Sequence, residues 1–187
     1  MMKGRLFTGE LVRLAAPNPE ADAESVARWL QDSEYVRLMD IRPAQPRLAK
    51  TFKERLNEDL KDTLFFFHIR ALADDRLLGS IDIDIDHWSH GEGWVGIDIG
   101  ERENWGKGYG TDAMRVILRY AFTELNLHRV ALNVFEYNPR AVRSYEKSGF
   151  VVEGRVRQFL ERDGRRWDVI YMGILREEWE RIVKCEA

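Results

Sequence analysis

The stretch Asn104-Trp105-Gly106-Lys107-Gly108-Tyr109-Gly110-Thr111 decides the fold, because it joins a strand pattern to a helix pattern. Upstream, residues 95 to 99 alternate in strand fashion, and downstream apolar residues recur at helical spacing from 113 to 125. Glycine lets backbone N–H groups approach a ligand closely, and the unpaired amides of a helix start favour an anion. The stretch therefore predicts a cradle for a diphosphate.

Other interpretations of this glycine-rich stretch are weaker or excluded. Glycine clusters are ordinary turn residues, so a strand-to-helix connection without a ligand stays open. A Walker loop has Ser or Thr after its Lys, whereas Lys107 is followed by Gly108. A dinucleotide-binding fold has its glycines in the first strand–helix–strand unit, whereas here they follow several strand patterns.

Two blocks of sequence together resemble one protein family. Residues 99 to 114 resemble the coenzyme A motif of GNAT N-acetyltransferases, Gln/Arg-x-x-Gly-x-Gly/Ala, with its last two glycines at Gly108 and Gly110. Trp105 occupies the first motif position, a departure that resembles the branch acetylating the N-termini of ribosomal proteins. The second block is Asn138-Pro139-Arg140-Ala141-Val142-Arg143-Ser144-Tyr145-Glu146-Lys147-Ser148-Gly149-Phe150, which is similar to the family's Asn-x-x-Ala-x-x-x-Tyr-x-Lys-x-Gly-Phe segment.

Composition and length set the broad class of the protein. We expect one N-acetyltransferase domain over residues 1–187, with a core of about 9–178, because 187 residues suit a single core. A net charge of −3 argues against nucleic acid as a partner, and the single Cys185 fits a reducing compartment. No apolar run is long enough for a signal peptide or a membrane span, so we expect a cytoplasmic protein with no membrane partner.

The order of the patterns predicts a mixed α/β fold. The expected elements are a strand at 11–14, helices at about 21–31, 35–39 and 48–56, three antiparallel strands at 64–69, 77–86 and 94–99, the glycine-rich helix, a strand at 130–135, a short helix after Asn138, a hairpin around Arg162-Asp163-Gly164-Arg165 and a last helix at 177–183. The resemblance implies the GNAT fold, in which a mostly antiparallel, splayed sheet has helices on both faces.

The resemblance implies acetyl-CoA as the acyl donor. In the family, this donor lies in the gap between the last strand of the antiparallel meander and the strand after the main helix. The implied binding residues are Ile99, Gly100, Trp105, Gly106, Lys107, Gly108, Tyr109, Gly110, Thr111 and Asn138. The amides from 105 to 111 would hold the pyrophosphate, while the backbone of Asp98 to Gly100 would pair with the pantetheine arm and Asn138 would also bind it. His87 and His90 have metal-ligand spacing, but the sequence supplies no convincing further ligands, so no metal is predicted.

Acetyl transfer to an amine needs a base for the amine and an acid for the departing thiolate. Tyr145 stands where the family keeps its general acid, although a packing tyrosine is the alternative. Asp98, on the strand beside the thioester, is the first candidate base. Glu92, Glu101 and Asp82 are rivals, and Asp98 could equally face solvent.

Alternating residues on the second predicted strand of the meander bear on the charge of the acceptor that the site would bind. Ile81, Ile83 and Ile85 point one way while Asp82, Asp84 and Asp86 point the other. The carboxylates form either a solvated face or an acidic wall that attracts a cationic amine. An even pairing register would place Asp82 opposite Asp98.

Several acceptors and one non-enzymatic function stay open. The amine could belong to a protein N-terminus, a polyamine, an aminoglycoside or an amino acid, and the chain could act as a homodimer. A module that binds or senses acyl-CoA without catalysis is the alternative to an enzyme, and the retained Tyr145 favours the enzyme.

Overall fold

The computed structural model describes residues 6–46, 50 and 62–186. In this part of the chain, seven strands form one mixed sheet with the order β1-β2-β3-β4-β5-β7-β6. The strands are β1 (Val12–Ala15), β2 (Leu64–Ala71), β3 (Leu77–His87), β4 (Glu92–Ile99), β5 (Arg129–Phe135), β6 (Val151–Arg162) and β7 (Arg165–Leu175). The helices are α1 (Pro19–Trp29), α2 (Ser33–Met39), α3 (Tyr109–Thr123), α4 (Pro139–Lys147) and α5 (Arg176–Glu186), with 3-10 turns at Trp88–His90 and Arg102–Asn104.

The predicted mixed α/β fold is confirmed, including the antiparallel meander of β2, β3 and β4. The expected helix at 48–56, with Leu48, Phe52 and Leu56, lies outside the described residues. None of the helices in the described ranges is long and apolar enough to span a membrane.

The sheet splays between β4 and β5. These two strands run parallel and pair only from Glu92 opposite Arg129 to Trp94 opposite Ala131. Beyond those pairs, residues 95 to 99 of β4 and 132 to 135 of β5 do not pair with each other. Backbone groups at such a divergence remain available to a ligand, because each N–H and C=O needs a partner.

Helix α3 covers one face of the sheet next to this gap. Ile81, Ile83 and Ile85 are fully buried in the same core cluster as the apolar residues of α3. The start of the helix is held in place by Asp112, whose carboxylate accepts hydrogen bonds from the backbone N–H groups of Glu10, Leu11 and Val12 at 3.1, 2.8 and 2.9 Å. The segment before β1 therefore fixes the first turn of α3.

The opposite face carries α1 and α2. Asp22 of α1 is buried, and its carboxylate accepts hydrogen bonds from Arg70 at 2.7 Å. The same carboxylate lies 2.7 Å from Nδ1 of His68. The ring of Trp29 packs so closely on Gly100 that a Cβ there would lie 2.0 Å from the indole. These contacts hold α1 against this face, and the Tyr35 hydroxyl of α2 donates a hydrogen bond to Asp98 on β4.

The predicted pairing of Asp82 with Asp98 is wrong. Asp98 lies opposite Ser80, and Asp82 lies opposite Gly96. The register is set at the β3–β4 connection, where the 3-10 turn and Gly91 at φ 62° close the hairpin at His87 and Glu92. A register shift between Asp84 and His87 then carries the two carboxylates to diagonal positions on one face of the sheet.

Candidate functional site

A cleft of about 480 Å³ occupies the divergence between β4 and β5. The end of β4, β5, α2, the loop before α3 and one side of α4 line it. The sequence-predicted residues that it brings together are Asp98, Ile99, Trp105, Gly106, Gly108, Tyr109, Gly110, Thr111, Asn138 and Tyr145. Gly100 and Lys107 do not line it: Gly100 is packed under Trp29, and the Lys107 side chain is exposed.

The glycine-rich loop presents backbone amides without intramolecular acceptors. Within the described ranges, none of the N–H groups of residues 106 to 111 has a hydrogen-bond acceptor, and the first to have one is that of Asp112, 3.0 Å from the Gly108 oxygen. Gly106 and Gly108 have φ values of 76° and 89°, a left-handed backbone that glycine adopts without strain. An anion at the positive end of α3 would satisfy these donors.

Trp105 joins this loop to both walls of the cleft. Its backbone N–H already donates to the Arg102 oxygen at 3.0 Å, and its indole N–H donates to the Ile99 oxygen at 2.7 Å. The guanidinium carbon of Arg140 lies 3.8 Å from the indole ring centroid, a cation–π contact. The tryptophan therefore anchors the loop at the position where the motif usually carries Gln or Arg.

Asp98 is a half-buried carboxylate held by two hydroxyl groups. The Tyr35 hydroxyl donates to Oδ1 at 2.7 Å, and the Ser80 hydroxyl donates to Oδ2. Burial raises the pKa of Asp98 above its ordinary value, and the hydrogen bonds from Ser80 and Tyr35 oppose that rise. A carboxylate in this position is a stronger base than a fully solvated one.

The rival bases divide into two groups. Asp82 also lines the cleft. Glu92 is bound to the Arg129 guanidinium at 2.9 Å, and Glu101 accepts from the Trp29 indole N–H at 2.9 Å; neither lines the cleft.

Tyr145 faces the cleft from α4. Asn138 caps this helix by accepting from the Ala141 N–H at 3.2 Å, as its pattern predicts. The hydroxyl groups of Thr111 and Ser144 lie 2.8 Å apart and join α4 to the start of α3. Burial raises the pKa of Tyr145 to about 12, and its hydroxyl has no hydrogen-bond partner among the described residues. The phenol is therefore neutral at physiological pH and available to a ligand.

Sequence reasoning missed the groups that support Asp98. The sequence pattern places Tyr35 only at the start of a predicted helix, and no local pattern connects it to a residue 63 positions away. Ser80 shares the strand face of Asp82 and Asp84, which is the signal that could have included it. In the described ranges, no group of three or more His, Cys, Asp or Glu residues is placed to hold a metal.

Comparisons with known proteins identify the family of this chain. Residues 12–151 match the family profile described as an acetyltransferase (GNAT) domain. The SPbeta prophage-derived uncharacterized N-acetyltransferase YokL of Bacillus subtilis is 32% identical over 176 residues, which cover 93% of this chain and 95% of that protein. The spermidine N(1)-acetyltransferase of Vibrio cholerae is 36% identical over 127 residues, which cover 68% of this chain and 73% of that protein.

A solved structure is similar to this chain over most of its length. The crystal structure of spermidine N-acetyltransferase from Vibrio cholerae in complex with CoA and spermine has a TM-score of 0.79 at 25% identity, covering 90% of this chain and 98% of that one. The family profile and the glycine-rich motif coincide on the residues that form the cleft. The chain belongs to the GNAT family and is an acetyl-CoA-dependent N-acetyltransferase.

Proposed function

We propose that this protein, acting as one domain of residues 1–187, acetylates a primary amine of a cationic, polyamine-type acceptor, with Asp98 as base and the Tyr145 phenol as the acidic group that donates a hydrogen bond to the departing sulfur. The observation that carries the proposal is the shared cleft: the Asp98 carboxylate, the Tyr145 phenol and the amide cradle all line it. A base, an acid and an anion site around one cavity are what acyl transfer from acetyl-CoA to an amine requires.

Asp98 would receive the acceptor as an ammonium ion. A primary amine has a pKa of about 10.4 in water, so it arrives protonated and must lose a proton before it can attack. The carboxylate first pairs with the ammonium and then takes its proton, which its raised pKa favours. The neutral nitrogen then attacks the thioester carbon, forming the N–C bond as the C–S bond breaks. The extra proton on the acylated nitrogen passes to the departing thiolate, which leaves a neutral amide and the free thiol of coenzyme A.

Tyr145 would serve the departing sulfur. An ordinary thiol has a pKa of about 8.5, so full proton transfer from a phenol of pKa about 12 is uphill by roughly 3.5 units, or about 5 kcal/mol. A thiolate in the same buried site has a raised pKa as well, which reduces this difference. We therefore assign Tyr145 a hydrogen bond to the sulfur that strengthens as negative charge develops there.

Two carboxylates on one wall favour an acceptor with several positive charges. Asp82 and Asp98 both line the cleft from diagonal positions on the same face of β3 and β4. Each would be stabilised by a cation, and a polyamine supplies two or more along one flexible chain. The relative and the solved structure named for spermidine acetylation support this class of acceptor.

Ribosomal-protein N-termini are the alternative acceptors, suggested by Trp105. Here, however, the indole is bonded to the Ile99 carbonyl and stacked under Arg140. Both contacts are structural ones within the loop and the cofactor side of the cleft. Trp105 therefore carries no information about the acceptor, whereas Asp82 and Asp98 do.

The test is an acceptor panel of spermidine, spermine, a basic peptide N-terminus, an aminoglycoside and an amino acid. Release of free thiol from acetyl-CoA measures turnover, and mass spectrometry identifies the product. We expect the highest kcat/KM with a polyamine, and a KM that rises with salt because the attraction is electrostatic. Preference for a peptide N-terminus with a salt-independent KM would contradict the polyamine assignment. If the protein binds coenzyme A but none of the amines causes thiol release, it would instead be a non-catalytic module.

A matched pair of variants separates the cleft wall from the general surface. Asp82→Asn should raise the polyamine KM and weaken its salt dependence. Asp84→Asn removes the same charge two residues along β3, where the carboxylate accepts from the Thr63 hydroxyl at 3.0 Å and does not line the cleft. Equal effects of both substitutions would mean that these carboxylates act only through the long-range electrostatic field of the surface.

A further inference from the structure

The cleft side of α4 is strongly basic. Arg140, Arg143 and Lys147 line the cleft at spacings of three and four residues, so they follow one another along one side of the helix. The only carboxylate of α4, Glu146, does not line the cleft. A chain with a net charge of −3 thus concentrates positive charge beside its anion cradle.

Among the residues that the structure describes, two of these cations lack a carboxylate counter-ion. Arg37 and Arg129, elsewhere in the fold, hold carboxylates at 3.0 and 2.9 Å. Arg140 is stacked on the Trp105 indole. In contrast, no carboxylate in the described part of the chain lies within 4.0 Å of the charged groups of Arg143 or Lys147. Like charges four residues apart also disfavour a helix, so local stability does not explain the pair.

The cradle accounts for only part of the charge on a coenzyme A donor. Its amides and the positive end of α3 suit the diphosphate, which needs closely spaced N–H donors. Coenzyme A carries a third phosphate, a phosphomonoester on the ribose with a charge of about −1.5 to −2 at neutral pH. The hydrogen bond between Thr111 and Ser144 joins α4 to the start of α3, and Arg143 and Lys147 line the same cleft as the cradle.

We propose that Arg143 and Lys147 bind the ribose 3′-phosphate of coenzyme A and make the enzyme selective for 3′-phosphorylated acyl donors. This inference rests on acetyl-CoA as the donor. Two cations one helical turn apart can bracket a single phosphate, which then relieves their mutual repulsion. Acetyl groups carried on 3′-dephospho-CoA or on a bare phosphopantetheine should therefore be poor substrates.

The experiment is calorimetric titration of coenzyme A and of 3′-dephospho-CoA into the full-length protein. Wild type should bind coenzyme A about tenfold more tightly, the scale expected for two partly exposed ion pairs. In Arg143→Gln/Lys147→Gln, coenzyme A should bind about tenfold more weakly while the affinity for 3′-dephospho-CoA stays unchanged, so the preference disappears. High salt should reduce the wild-type preference.

The control variant is Arg181→Gln/Lys184→Gln, which removes the same charge from exposed positions of α5 that pair with Glu177 and Glu180. It should keep the full preference, and circular dichroism should show both variants folded. Equal wild-type affinity for the two nucleotides, or a preference that survives in Arg143→Gln/Lys147→Gln, would overturn the proposal. A parallel loss of affinity for both nucleotides in that variant would also overturn it, by assigning the cations to the diphosphate. Wild type that binds neither nucleotide would instead refute the acetyl-CoA donor on which the proposal rests.

Discussion

Replacing Tyr35 by phenylalanine should move the acid limb of the pH–activity profile to higher pH. The substitution removes one hydroxyl group, which donates to Asp98 Oδ1 at 2.7 Å. Tyr35 is buried, and its ring packs against Trp29 with 6.3 Å between ring centroids, so the phenylalanine ring can keep the same place. The hydrogen bond to Asp98 is therefore the main interaction that changes.

The size of the effect follows from the strength of that hydrogen bond. A hydrogen bond to a charged group contributes about 1.5–3 kcal/mol, and the lower value applies because water in the cleft can replace the phenol. Since 1.36 kcal/mol corresponds to one pKa unit, the pKa of Asp98 should rise by about one unit. The direction is upward because the phenol stabilises the ionised form, and its loss favours the protonated one.

The assay is the pH dependence of kcat/KM with one acceptor, compared between wild type and Tyr35→Phe. As the proposed base, Asp98 would act in its ionised form, so activity should fall as the pH drops through its pKa, and a higher pKa should move this loss to higher pH. The same acceptor in both proteins makes the titration of the amine a common factor. Tyr171→Phe is the matched control, because Tyr171 lies on β7 and does not line the cleft.

An acid limb at the same pH in wild type and Tyr35→Phe would refute this reasoning. It would mean that Asp98 is not the base, or that the phenol does not stabilise its ionised form. Asp98→Asn then distinguishes the two explanations. Loss of most activity in that variant would keep Asp98 as the base, and wild-type activity would remove it from the mechanism.

Three further substitutions test other parts of the site. Gly110→Val should weaken acetyl-CoA binding more than tenfold in calorimetry, because the added side chain would project into the cleft between Ile99, 3.8 Å from the new Cβ, and α4. The Tm should change little, because Gly110 does not have a positive φ. Tyr145→Phe should lower kcat by about a hundredfold while the Kd of acetyl-CoA is unchanged, which single-turnover kinetics and calorimetry can check. Arg162 Nη2 donates to three backbone carbonyls after α2 at 3.0 Å each, and the end of α2 lines the cleft. Arg162→Ala should therefore displace this wall and raise the acceptor KM about tenfold, with an unchanged Kd for acetyl-CoA.

Local features of the site could be predicted because neighbouring residues determine them. The helix start at Tyr109, the cap at Asn138 and the hairpin turn at Asp163 and Gly164 each depend on residues within one turn of chain. Asp163 and Gly164 have φ values of 53° and 72°, the left-handed pair that a two-residue hairpin loop requires. The types of neighbouring residues therefore determine these three features.

Long-range contacts could not be predicted from the same patterns. The carboxylate of Asp112 binds the amide of Val12, 100 residues earlier, and nothing in its helix start distinguishes it from a simple first-turn acid. The register of Asp98 depended on an irregularity at the far end of β3, which alternation alone does not show. The identity of the residue opposite Asp98, and thus its hydrogen bonds, followed from that irregularity.

The row of residues that crosses the sheet at Asp98 explains why the acceptor should supply positive charge. Ser80 pairs with both His68 and Asp98, so the three lie side by side on β2, β3 and β4. Burial lowers the pKa of His68, which keeps its imidazole neutral at physiological pH, and the Arg70 cation is bound to the Asp22 carboxylate at 2.7 Å. His68 would stabilise the Asp98 carboxylate only in its charged form, which burial disfavours. Tyr35 and Ser80 are neutral donors to the half-buried Asp98 carboxylate, so the ammonium group of the proposed acceptor would supply a counter-ion for it.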